Sequence, residues 1–130
     1  MVDPSPLVTV IVPALNEEDT IAQVVNRLLS LQPRPEVIVV NDGSTDGTLA
    51  ALEPYRDQIK VVSHAQRQGK GMAIRTALKH ATGKVSIIQD ADLEYQPEEI
   101  PALIQPILDK KTRVAYGTRF KNGMHPGMAW

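Results

Sequence analysis

The chain has no cysteine among its 130 residues. That excludes a disulfide framework, a thiolate metal centre and a cysteine nucleophile, and it suits a reducing compartment. An excess of one charge is also missing. The formal net charge is -1, so the basic face that nucleic acid recruits is not expected, nor is a nucleic-acid partner. Long apolar runs are absent as well. Val37-Ile38-Val39-Val40 represents the longest and is far too short to cross a bilayer. The opening residues Met1-Val2-Asp3-Pro4-Ser5-Pro6 lack the basic and apolar regions of a signal peptide. A cytoplasmic protein is expected. His64, His80 and His125 have no partner at i, i+4, so surface or structural roles are expected for them rather than metal ligation.

What is present reads as one domain over residues 1–130, long enough to bury a core. Leu7-Val8-Thr9-Val10-Ile11-Val12 is an apolar, β-branched run that Pro13 is expected to stop. Asn16 is placed to cap a helix whose stripe is Ile21, Val24, Val25, Leu28 and Leu29, ended by Pro33 and Pro35. Glu36-Val37-Ile38-Val39-Val40 is a second strand, and Asn41 to Thr48 is a dense turn signal. A short helix through Leu49 and Leu52 should stop near Pro54, before a weaker strand at Ile59-Lys60-Val61-Val62. Gln68-Gly69-Lys70-Gly71 opens a helix from Met72 towards Ala81, with Gly83 at the closing C′ position.

A fourth strand starts at Val85. A further helix opens at Gln96-Pro97-Glu98-Glu99, with Pro106 awkward inside it. Val114-Ala115-Tyr116-Gly117 is a fifth strand, and residues 119–130 read as a loop-like tail. Strand and helix alternate, which predicts an α/β fold with a doubly wound, mostly parallel sheet flanked by helices.

The fourth strand, Val85-Ser86-Ile87-Ile88, runs into Gln89-Asp90-Ala91-Asp92-Leu93-Glu94. In an extended chain alternate side chains share a face, so Asp90, Asp92 and Glu94 are expected to converge. A divalent cation with oxygen ligands relieves the repulsion among three such anions. The duller alternative is a solvated loop after a strand. Other polar groups fall at the carboxyl ends of the predicted strands: Pro13, Asn16 and Glu17, then Asp42, Gly43 and Ser44. Ligands bind at that end of an open parallel sheet. Gly69-Lys70-Gly71 lies at a helix start, which favours an anion, with Lys70 and Arg75 adding positive charge. Alone, Asn16 and Glu17 read as caps, Asp42-Gly43-Ser44 as a turn and Arg75 as a solvated helix residue.

These segments together resemble family 2 glycosyltransferases, most nearly the polyprenyl-phosphate sugar transferases. The resemblance rests on Val10 to Glu18, Val39 to Thr48, Gly69 to Arg75, Ala81-Thr82-Gly83, Gln89 to Glu94, Pro97 to Pro101 and Tyr116 to Phe120. It implies the Rossmann-like GT-A fold, a nucleotide-diphosphate sugar of the GDP-mannose or UDP-glucose type, and Mg2+ or Mn2+. It implies a nucleotide site of Pro13, Ala14, Asn16, Glu17, Asp42, Gly69, Lys70, Arg75, Asp90 and Ala91. It further implies a metal on Asp90, Asp92 and Glu94, with Asp92 and Arg119 as catalytic residues. The reaction implied is inverting transfer to a polyprenyl-phosphate or similar acceptor, at the cytoplasmic face of a membrane.

Three departures stand out. Asn41 replaces the first of two paired acids, and Ala14-Leu15 stands where many relatives have a small residue and an aromatic. Relatives also continue past the position of Trp130. A donor-binding half without its acceptor half is therefore expected, with apolar surface that favours homo-oligomers. The alternatives are a non-catalytic nucleotide-binding module and, more weakly, a nucleotidyltransferase.

Overall fold

The sheet is built from five parallel strands: β1 (Val8–Ala14), β2 (Glu36–Asp42), β3 (Lys60–His64), β4 (Val85–Ile88) and β5 (Val114–Tyr116). Their order is β3-β2-β1-β4-β5. The computed structural model describes residues 7–92, 97–100 and 114–116. Among the described residues, helices α1 (Ile21–Leu29), α2 (Thr48–Ala51) and α3 (Lys70–Leu78) lie between the strands, with 3-10 turns at Glu53–Tyr55 and Pro97–Glu99. This is the doubly wound α/β architecture expected from the alternation of elements. The chain winds outward from β1 to β3, then returns to place β4 on the other side of β1. The switch in strand order therefore lies between β1 and β4.

The two faces of β1 explain why the sheet is covered on both sides. Val8, Val10, Val12 and Ala14 join Val37, Val39, Val85 and Ile87 in a core capped by Ile21, Val24, Val25, Leu28 and Leu29 of α1. Ile11, Ile38, Val40 and Ile88 point the other way, against Ala73, Ile74 and Ala77 of α3. Alternate residues of a strand face opposite sides. A strand buried on both faces must therefore be apolar throughout, as Val10, Ile11 and Val12 are, each wholly buried. Burying each such side chain contributes about 1.5–3 kcal/mol.

Four expectations about boundaries need correction. Pro13 does not stop β1, because it pairs with Val40 while the pairing of β1 with β4 ends at Ile11. A proline is tolerated where one flank of a strand is open, since no ladder donor is needed there. Asn16 does not cap α1. Thr20 precedes the helix, and Asn16 adopts a positive φ of 53°. Helix α3 starts at Lys70 and ends at Leu78, earlier at both ends than expected. Gly83 does not close it. A Cβ there would lie 2.6 Å from the Thr9 nitrogen and 2.8 Å from the Val8 carbonyl carbon. Gly83 lets the chain pass against β1, and its N–H donates to Thr9 Oγ1 at 2.9 Å.

Candidate functional site

The connections after β1 and β2 are bonded into one unit. The Asn16 N–H donates to Ser44 Oγ (3.0 Å), and Asn16 Oδ1 accepts from the Thr45 N–H (2.8 Å). The Glu17 N–H donates to Thr48 Oγ1 (2.9 Å), and the Glu18 N–H to Asp46 Oδ2 (3.3 Å). Glu18 Oε2 accepts in return from the Gly47 N–H at 3.0 Å. The Glu18 carboxylate therefore serves a loop-to-loop interface, and the first turn of α1 holds no acid. Backbone donors that helix or sheet would leave unpaired are satisfied across a gap of about thirty residues in sequence.

Asp42, at the end of β2, is buried and fixes the approach to α3. Its Oδ1 accepts from the Gln68 N–H and pairs with His64 Nδ1, both at 2.8 Å, while Oδ2 accepts from the Gly69 N–H at 2.9 Å. His64 Nε2 in turn lies 2.8 Å from Thr76 Oγ1 of α3. Burial alone would raise the Asp42 pKa. The His64 and backbone hydrogen bonds outweigh it and hold the carboxyl below its ordinary value. Gly43, at φ +75°, completes this junction. A Cβ there would meet the Arg67 nitrogen at 2.6 Å, so the loop before α3 lies directly on the turn after β2.

Asp90 and Asp92 lie beyond the end of β4, at and in a turn, not on an extended strand. β4 ends at Ile88, Gln89 keeps one sheet-like bond to the Ile11 carbonyl, and Ala91 and Asp92 turn away. Their alternation on one face of a strand is therefore not the device that gathers them. Thr20 Oγ1 donates to the Ala91 carbonyl and ties this turn to the start of α1. Asp90 and Asp92 thereby face Glu17. Burial, then the Asp92 charge, with smaller contributions from Asp46 and Asp90, push the Glu17 carboxyl up, against a lowering bond from Thr20. Lys70, the first residue of α3, reaches across with Nζ 2.6 Å from Asp90 Oδ1.

These groups border a cleft of about 370 Å3 at the switch point between β1 and β4. Pro13, Ala14, Glu17, Asp42, Lys70, Asp90, Ala91 and Asp92 line it, all of them expected from sequence. Asn16, Gly69 and Arg75 do not line it. The first two hold its walls, and Arg75 is exposed on α3. Glu94, Arg119 and the tail 119–130 lie outside the described residues. Sequence reasoning missed Leu15, Arg67 and Ala73 as lining residues, and the His64–Thr76 link behind them. Arg67 stands two residues before the Gly69-Lys70-Gly71 turn read as anion-friendly, and that proximity was the available signal.

Among the described residues no three His, Cys, Asp or Glu side chains form a ready metal cage. The donors on the acidic wall are nevertheless carboxylate oxygens alone, which suits a hard divalent cation such as Mg2+ or Mn2+. A cation already stands there in the form of the Lys70 ammonium. The donor set fits such a metal.

No helix among the described residues is long and apolar enough to cross a membrane. Residues 9–130 match the model of glycosyl transferase family 2. The chain is 32% identical over 120 residues to a dolichol-phosphate mannosyltransferase of Pyrococcus furiosus, covering 89% of this chain and 34% of that protein. It is 31% identical over 134 residues to a UDP-N-acetylglucosamine–dolichyl-phosphate N-acetylglucosaminyltransferase of Methanococcus voltae, covering 89% and 53%. Among solved structures, a mannosyltransferase from Pyrobaculum calidifontis in complex with GDP-Man and Mn2+ superposes with a TM-score of 0.61. That match has 38% identity and covers 68% of this chain and 28% of that one. The chain thus spans between a third and about half of the length of these curated relatives. Its parallel sheet, its cleft at the switch point and these matches lead to one conclusion: the chain belongs to glycosyl transferase family 2.

Proposed function

We propose that this cleft holds the nucleotide-diphosphate sugar donor of a metal-dependent, inverting sugar transfer to a polyprenyl-phosphate or similar acceptor. The observation that carries the reading is the meeting of Glu17, Asp90 and Asp92 with Lys70 and Arg67 around one cleft. A diphosphate needs cationic partners and, beside them, carboxylates able to hold a hard metal. Few other ligands need both. The relatives that bear dolichol-phosphate in their names support a lipid-phosphate acceptor, and the complex with GDP-Man and Mn2+ supports the metal and the donor class.

In this reading Pro13, Ala14 and Ala91 form the apolar wall on which the nucleoside lies. Asp42 acts on the donor chiefly by fixing Gly69 and Lys70, since its oxygens already accept three hydrogen bonds. Lys70 and Arg67 draw in the diphosphate, and Arg75 adds to the positive field of α3. Asp90 and Asp92, with Glu94 as third ligand, would hold Mg2+ or Mn2+, which as a Lewis acid neutralises charge on the departing nucleoside diphosphate. Arg119 is assigned to the donor phosphates or the acceptor phosphate. An acceptor phosphate is ionised at neutral pH and needs little help from a general base. Such an acceptor sets the site at the cytoplasmic face of a membrane.

Slow hydrolysis of GDP-mannose or UDP-glucose in the presence of Mn2+ tests the proposal. Asp92→Asn should lower the rate by about a hundredfold, in line with the loss of an electrostatic group at a reacting phosphate. Hydrolysis that is equal in the variant would remove Asp92 from the chemistry. Release of pyrophosphate instead of nucleoside diphosphate would favour a nucleotidyltransferase.

A further inference from the structure

The contact between Lys70 and Asp90 sets two proposed partners of the donor against each other. Lys70 Nζ stands 2.6 Å from Asp90 Oδ1, with side chains 41% and 22% exposed. Lys70 is assigned to the diphosphate and Asp90 to the metal, yet here each is engaged with the other. The pairing has an electrostatic cause. Glu17, Asp90 and Asp92 line the same cleft, and carboxylates gathered in one place repel one another. A neighbouring ammonium relieves the repulsion. The backbone just before Lys70 is tied down, since Asp42 accepts from the Gln68 and Gly69 N–H groups. The four-carbon stem of Lys70 is flexible, so the charge can swing while the backbone stays still.

We propose that Lys70 is the resident counter-cation of Asp90, and that it is withdrawn onto the diphosphate when a divalent metal takes Asp90. This rests on the metal-dependent reading above and goes beyond it by making Lys70 the link between the two ligands. Metal alone has to displace the ammonium from Asp90 with no phosphate to receive it. Metal with nucleotide displaces it towards phosphate oxygens. The two ligands therefore bind with positive coupling, and by linkage each tightens the other by the same factor.

The test is a calorimetric titration of Mn2+ into the protein, alone and with saturating GDP or UDP, for wild type, Lys70→Gln, Lys70→Arg and Asp90→Asn. A partly exposed ion pair is worth up to about 1 kcal/mol. Lys70→Gln is therefore expected to bind Mn2+ alone about twofold to fivefold more tightly, and its coupling with nucleotide to fall. Lys70→Arg, which keeps the charge, should stay near wild type. The proposal is overturned if Asp90→Asn weakens Mn2+ binding while Lys70→Gln leaves it unchanged or weaker. Asp90 would then be a ligand without Lys70 as its competitor. Equal Mn2+ binding by wild type and Asp90→Asn removes Asp90 from the metal site and sinks both readings. Circular dichroism of each variant keeps loss of fold separate from loss of binding.

Discussion

Glu36, far from the cleft, shows how much one side chain can hold at the opposite end of the sheet. Its carboxylate accepts from Thr9 Oγ1, from the Thr82 N–H and hydroxyl, and from Lys60 Nζ, at 2.7–3.0 Å. Burial alone would raise its pKa, but the bonds from Lys60, Thr82 and Thr9 bring it down to about 2. A carboxyl depressed in the folded state stabilises above its unfolded pKa, and that contribution is lost as pH falls through the folded value. Glu36→Gln should therefore cost about 2 kcal/mol at pH 7 in urea unfolding. The gap to wild type should narrow as pH falls from about 4.5 towards about 2. Glu17 is the opposite case. Its carboxyl is raised by burial and by Asp92, so the fold disfavours its charge at pH 7. Glu17→Gln is expected to stabilise by about 0.5 kcal/mol while weakening Mn2+ binding, a trade of stability for function. Equal or lower stability in the variant would contradict this.

At the scale of elements, the junction of β2, β3 and α3 carries the largest structural prediction. Gly43→Ala would put a Cβ 2.6 Å from the Arg67 backbone at a φ of +75°. Either effect alone is costly, and together they should lower stability by about 2–4 kcal/mol in thermal or urea unfolding. The same change should weaken nucleotide binding, because the Arg67–Lys70 turn rests on this glycine. Continuous apolar runs made the strands legible in the sequence, helical spacing did the same for the stripe of α1, and the acids at strand ends followed from where the runs stop. The junctions were not legible. Asn16 reads locally as a helix cap, but its partner is Thr45, 29 residues away. Gly83 reads as a helix stop, but it answers to Thr9, 74 residues away. Propensity describes a residue's neighbours in the chain, and these roles are set by neighbours in space.

At the scale of the molecule, strand order decides where the chemistry lies. The reversal between β1 and β4 opens a crevice at the carboxyl ends of the strands, and Pro13, Glu17, Asp90 and Asp92 border it. The order of strands was not readable from periodicity, which names strands without ranking them in space. Given the order, the acids after β4 and the cations before and at the start of α3 become the two poles of one site. Its central claim is metal-assisted binding of a nucleoside diphosphate. Isothermal titration calorimetry with GDP and with UDP, each with and without Mn2+, tests that claim most directly. The account predicts that at least one of the two binds and that Mn2+ tightens it, with the gain lost in Asp90→Asn. Failure of both to bind, or equal binding with and without Mn2+, would contradict it.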